Sequence, residues 1–146
     1  MSKEEIIKML NYALELEHAA YVQYLSHAEA IDGENAEPIV ARLKEIANDE
    51  KGHQDKFREL IGILGGSPSM GIAATHPAKT LREILEQNLR DEKEAVDTYR
   101  KIYTAVEKGR GYYDFLLEHE IRHVIIDEQE HITELELLLQ KQGESY

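Results

Sequence analysis

Asp49-Glu50-Lys51-Gly52-His53 in the first half of the chain recurs in the second as Asp127-Glu128-Gln129-Glu130-His131, so Asp-Glu-x-x-His occurs twice. On a helix, a Glu and a His three positions apart point the same way, and a carboxylate beside an imidazole is a donor pair for a transition-metal ion. One such pair is weak support, because chance alone gives about one Glu-x-x-His in a chain of this composition. Four occur. Glu15/His18 and Glu120/His123 have no matching glutamate at their own depth and read as solvated helix faces. Glu50/His53 and Glu128/His131 do have partners, Glu17 and Glu92. Tyr24 follows Glu17, and Tyr99 follows Glu92, by the same seven residues. The order Glu, Tyr, then Asp-Glu-x-x-His therefore appears twice, as a site with two-fold symmetry requires.

Long stretches rich in Glu, Leu, Lys, Ala and Ile, broken only where Gly and Pro gather, predict helix throughout. A first helix over 3–31 opens on the capping box Ser2/Glu5 and stops at Asp32-Gly33. A second over 36–64 carries Pro38 in its first turn and ends at Gly65-Gly66. The segment "GGSPSMGIAATHPAK" is too long for a tight turn and reads as a crossover running the length of the molecule. A third helix over 81–108 opens on the box Thr80/Glu83, and a fourth over 112–141 follows the tight turn at Gly109 and Gly111. Four helices of about 28 residues, each about 40 Å long, describe an all-α four-helix bundle: two antiparallel hairpins joined by one long crossover, in a single domain spanning 1–146.

Glu17 and Glu50 lie equally far from the first turn, and Glu92 and Glu128 equally far from the turn at Gly109 and Gly111, so packing the hairpins brings all four into one layer. Their faces agree. Leu10, Leu14, Tyr21 and Tyr24 share the stripe of Glu17, while Leu117, Ile121, Val124, Leu135 and Leu138 share that of Glu128 and His131. Four carboxylates in a dry core repel one another and resist ionisation unless cations sit between them. Two divalent ions balance them. Asp49 and Asp127 are placed to accept a proton from the far ring nitrogen of a ligand histidine, crosswise, Asp49 from His131 and Asp127 from His53. Tyr24 and Tyr99, as core aromatics, need hydroxyl partners, and a ligand carboxylate is within reach. His27 and His76 have no spacing partner and read as surface or loop residues.

Composition narrows the alternatives. With 29 acidic against 17 basic residues the formal charge is −12, which disfavours direct nucleic-acid binding. No segment has the length and apolarity of a membrane span or a signal peptide, so a soluble cytoplasmic protein is expected. The absence of cysteine excludes thiolate sites. Any metal must be held by His and carboxylate.

One Glu from each of two helices with Glu-x-x-His from each of the other two resembles the di-iron or di-manganese carboxylate set of ferritin-like bundles. "LNYALELEHAAYVQYLSHA", "IANDEKGHQDKFRELIGILGGSP" and "IIDEQEHITELELLL" are similar to the first, second and fourth helices of bacterioferritins. That resemblance implies Glu17 and Glu92 as terminal ligands, Glu50 and Glu128 as bridges, and His53 and His131 as ligands of one iron each. It implies a cofactor of two Fe ions, for which Mn or Zn can substitute, and a ferroxidase, an oxidoreductase taking Fe(II) with dioxygen or peroxide. A homo-oligomer is in keeping with the family. Three departures stand out. Lys51 occupies the position of the haem-ligating Met, so no haem is expected; too few residues follow the fourth helix for the fifth helix of the iron-storage cage, as also in Dps-like proteins; and Ala95 replaces the extra glutamate of rubrerythrins, which the Tyr24/Tyr99 pair otherwise resembles. The alternatives are a rubrerythrin-like peroxidase or manganese-catalase-like enzyme at the same site, and a non-catalytic metal-binding or storage subunit.

Overall fold

The computed structural model describes residues 1–146: four helices, α1 (Lys3–Ala28), α2 (Ala36–Ile63), α3 (Leu81–Glu107) and α4 (Asp114–Leu138), and no strand. α1 packs on α2 and α3 on α4 as hairpins, and the hairpins meet through α1 against α3 and α2 against α4. The chain is thus the all-α bundle its sequence predicts.

Local chemistry sets the helix ends. Ser2 Oγ accepts from Glu5 N at 3.2 Å and Glu5 Oε2 accepts from Ser2 N at 2.8 Å, completing the first capping box. The second is half made: Thr80 Oγ1 accepts from Glu83 N, but the Glu83 carboxylate turns to the backbone N–H of Lys79. α2 ends in a Schellman turn, with Gly66 N donating to Ile61 O at 2.9 Å and Gly65 at φ +82°, where a side chain would be strained. α4 ends earlier than its sequence suggests, because Gln140 takes the left-handed conformation and Lys141 N donates to Glu136 O at 2.7 Å. It also starts late. Asp114 accepts from Gly111 N at 2.6 Å and pulls the turn closed before the helix begins; a Cβ on Gly109 would run into that carboxylate. α1 stops at Ala28, its last turn tightening as Ala30 N reaches back to His27 O.

Apolar positions at steps of three and four fill the core on both sides of the glutamate layer. Leu10, Leu14, Phe57, Leu60, Ile102 and Leu117 lie in the larger cluster, and Leu43, Ile46 and Ile84 in the smaller. Each such fully buried side chain contributes roughly 1.5–3 kcal/mol relative to exposure. Phe57 and Tyr99 meet with ring centroids 5.2 Å apart, joining α2 to α3 directly beneath the polar layer.

The crossover from α2 to α3 lies along α1. Asn11 Nδ2 donates to Ser67 O, Ser69 Oγ donates to Glu15 Oε2 at 2.5 Å, and Ala73 N donates to Glu15 O at 3.1 Å. His18 Nδ1–H donates to Gly71 O at 2.6 Å while its Nε2 accepts from Arg58. Glu15 and His18 are therefore clamps for the crossover, not a solvated face. Sequence spacing could not show that the loop would cover them.

Candidate metal centre

Glu17, Glu50, His53, Glu92, Glu128 and His131 come together at mid-bundle, none more than 6% exposed. Each helix delivers its residues because they occupy the apolar stripe that the packing turns inward. Two sets of four donors form. One comprises Glu17, Glu50, His53 and Glu128, the other Glu50, Glu92, Glu128 and His131, with the donor atoms in each set within 4.8 Å of one another. Glu50 and Glu128 belong to both. Around His53 Nδ1 the oxygens of Glu128, Glu17 and Glu50 stand at 3.0, 3.5 and 3.7 Å. Around His131 Nδ1 those of Glu50, Glu128 and Glu92 stand at 3.2, 3.5 and 3.6 Å. Donors bound at about 2.0–2.2 Å to one ion sit roughly 3 Å apart, so only small adjustments separate these sets from ligation.

The outward side of each ring is fixed crosswise, as the sequence predicts. His53 Nε2–H donates to Asp127 Oδ2 at 3.0 Å, and His131 Nε2–H donates to Asp49 Oδ2 at 2.9 Å. A neutral ring that donates from Nε2 presents a bare lone pair at Nδ1. With the rings neutral, the close Nδ1–carboxylate distances set acceptor against acceptor. One atom from each of the six residues, Glu17 Oε2, Glu50 Oε1, His53 Nδ1, Glu92 Oε2, Glu128 Oε1 and His131 Nδ1, is buried without a hydrogen-bond partner. Each orphaned group costs about 1–3 kcal/mol or more when charged. Six converging lone pairs are what a pair of cations requires, so the residues fit two metal ions.

Without metal, protons take the cations' place. Burial, with the charge of Glu128 beside them, pushes the Glu17, Glu50 and Glu92 carboxyls up. Burial works the same way on Glu128, but hydrogen bonds from its neighbours overcome it and hold that carboxyl well below the usual range. Burial opposes charge on the rings too, yet the surrounding carboxylates prevail and push His53 up to about 12 and His131 up to about 11.

Tyr24 Oη–H donates to Glu92 Oε1 and Tyr99 Oη–H to Glu17 Oε1, both at 2.7 Å. Each hydroxyl crosses from one hairpin to the other, and burial raises both phenols well above their ordinary range. A cavity of about 150 Å³ between α1, α3 and the crossover reaches Glu50, Glu92 and Glu128, its walls formed by Ala19, Ala20 and Ala95 together with Gln23, Asn88 and Asp91. Lys51 is exposed.

One polar cluster escapes the sequence reading. His27 is buried, not at the surface: its Nε2–H donates to the carbonyl of His76 at 2.9 Å and its Nδ1 accepts from Asn88 at 2.9 Å. Burial lowers its basicity. Gln23 Nε2 donates to Asn88 Oδ1 and Asp91 Oδ2, and Gln23 Oε1 accepts from His76 N. His76 itself lies in the crossover, as expected. The available signal was a polar pair, Gln23 and His27, four apart on the stripe of Tyr24.

The fold and site define a class, a four-helix bundle whose core gathers two linked sets of carboxylate and imidazole donors. Residues 7–143 match the family described as a ferritin-like domain, and the chain belongs to that family as a homologue of bacterioferritins. The bacterioferritin of Desulfovibrio desulfuricans is 30% identical over 134 residues, which cover 90% of this chain and 72% of that protein. A structure from Bacillus anthracis described as ferritin-like, diiron-carboxylate has a TM-score of 0.88 at 28% identity, over 95% of this chain and 99% of that one. The X-ray structure of the D. desulfuricans bacterioferritin, described with its diiron site in different catalytic states, has a TM-score of 0.84 at 26% identity, over 93% and 78%.

Proposed function

We propose that this protein is a di-iron ferroxidase, binding two Fe(II) ions in the bundle core and oxidising them with dioxygen or peroxide. The observation that carries this reading is the pair of four-donor sets sharing Glu50 and Glu128, since shared carboxylates hold two ions close enough to act on one small molecule. Two Fe(II) supply one electron each, enough to take dioxygen to peroxide or peroxide to water. In this reading Glu17 with His53 holds one ion, Glu92 with His131 the other, and Glu50 and Glu128 span both. Four carboxylates offset four positive charges, so the filled site is neutral.

The chain's other residues position these ligands. Asp127 and Asp49 fix the imidazole rings and hold the proton of each neutral ring on Nε2, so that Nδ1 is the nitrogen a metal would take. Tyr99 and Tyr24 hold Oε1 of Glu17 and Glu92 respectively and so orient each carboxylate, whose Oε2 has no hydrogen-bond partner. The cavity that reaches Glu50, Glu92 and Glu128 is large enough to admit a small oxidant. His and carboxylate donors also accept Mn and Zn, so manganese-catalase-like or peroxidase chemistry at the same residues, and storage without turnover, are outcomes of the test.

That test is an anaerobic Fe(II) titration of the metal-free chain, then admission of oxygen while near-ultraviolet absorbance is followed. A rapid rise saturating at two irons per chain, abolished by Glu50→Ala and by Glu128→Ala, is expected. Iron bound without oxidation refutes the ferroxidase reading, and faster consumption of peroxide by the manganese-loaded chain favours the catalase-like one.

A further inference from the structure

His119-Glu120-Ile121-Arg122-His123 sets two imidazoles one turn apart on the outer side of α4. Their ring centroids lie 4.8 Å apart with planes 38° from one another, and both residues are exposed. Two histidines at i and i+4 on one helix face can direct a nitrogen each at a single metal ion, the arrangement found in metal-binding His-Glu-x-x-His helices. A hydrolase would further need the glutamate beside the ion as a base. Glu120 is instead drawn across to α2, with Oε2 3.5 Å from Lys56 Nζ.

Where the pair sits gives it a role. His123 lines a surface groove between α2 and α4 whose walls include Asp49, Asp127 and Glu120 and which reaches His53. Asp127 is one further turn along the His119/His123 stripe, and its Oδ2 already bonds His53 Nε2. His123, Asp127, Asp49 and the ring of a proposed core ligand, His53, thus line one groove, with the Lys56 ammonium the single cation among them. A formal charge of −12 raises the local concentration of cations along such a groove.

We propose that His119 and His123 form a surface capture site for one divalent first-row transition-metal ion, from which the ion passes down the α2–α4 groove to the core. Capture stands on the pair alone; passage rests on the metal-centre reading given above. Two imidazoles, water and a swung Asp127 or Glu120 suit Zn(II), Co(II), Ni(II), Cu(II) or Fe(II). The second imidazole binds intramolecularly, so removing either ring weakens capture by roughly 10²-fold.

Equilibrium dialysis with Zn(II), which involves no oxidation, tests capture. His119→Ala/His123→Ala is expected to bind one equivalent fewer than the parent chain and keep the core equivalents. Glu50→Ala/Glu128→Ala is expected to lose core equivalents and keep the surface one. Unchanged Zn(II) uptake by the histidine variant overturns the proposal, as does loss of the surface equivalent together with those of the core. Both histidines are exposed, and His119→Gln/His123→Gln with circular dichroism separates lost binding from lost fold. Passage is read from Co(II) uptake into the core by visible absorbance at sub-stoichiometric metal. A severalfold slower rise in the histidine variant with the same final amplitude supports it, and an unchanged rate refutes it.

Discussion

Replacing Tyr24 by Phe removes one hydroxyl and leaves Glu92 Oε1, 2.7 Å away and fully buried, without its donor. In the metal-free chain burial and Glu128 raise the Glu92 carboxyl and favour its neutral form, and a hydrogen bond between neutral groups is worth about 1 kcal/mol. Metal binding ionises the carboxyl, and a hydrogen bond to a charged acceptor is worth roughly 1.5–3 kcal/mol. Tyr24→Phe should therefore cost about 1 kcal/mol, or about 3 °C in Tm, before metal is added. It should cost about 1 kcal/mol more afterwards, which appears as about a fivefold weaker metal affinity. The reciprocal bond from Tyr99 to Glu17 has the same length and burial, so Tyr99→Phe should give the same pair of numbers. Thermal unfolding with and without Zn(II), combined with competition titration against a chelator, measures all four quantities. Unchanged affinity in either variant refutes the claim that the tyrosines hold ligand carboxylates, and a larger loss without metal than with it refutes the assigned charge states.

Other perturbations follow from the same geometry. Asp127→Asn and Asp49→Asn should each weaken one of the two ions by about 10–100-fold, seen as a split of the Zn(II) isotherm into a tight and a weak step. The metal-free chain should lose thermal stability as pH rises from 6.5. Folded His53 and His131 keep their protons to about 12 and about 11, while an unfolded ring gives its proton up near 6.5, so the stabilisation is full below 6.5 and fades as pH climbs. The raised carboxyls of Glu17, Glu50 and Glu92 act in the same sense from lower pH, and Glu128 in the opposite one. Melting curves of chelator-treated protein between pH 6 and 9 check the sign, and added Zn(II) should reverse it because metal displaces those protons. Phe57→Ala, at the ring contact with Tyr99, should cost about 3–5 kcal/mol in urea unfolding.

Depth and face of the six ligand candidates were legible because they follow from periodicity and from turn positions, which sequence displays directly. Glu17 and Glu50 share a level because Glu17 lies 14 residues before Ile31 and Glu50 lies 14 after Ala36, on either side of the first turn, and the observed layer agrees. The crosswise aspartates were legible for a related reason, since each neighbours a glutamate already placed. What a loop covers is another matter. Glu15 and His18 looked solvated because helical spacing cannot say that Ser69 and Gly71 will lie against them. His27 looked peripheral because its partners, Asn88 and the His76 carbonyl, are far along the chain. The end of α4 was misplaced because Gln140 adopts a left-handed conformation that sequence assigns first to the glycine at 143.

Anomalous diffraction at the iron edge from crystals loaded anaerobically with Fe(II) tests the central claim most directly. Two peaks are predicted, one against Nδ1 of His53 and one against Nδ1 of His131, with the carboxylates of Glu50 and Glu128 touching both. A single peak, or iron only on outer carboxylates with the six core side chains unengaged, would contradict the dinuclear centre.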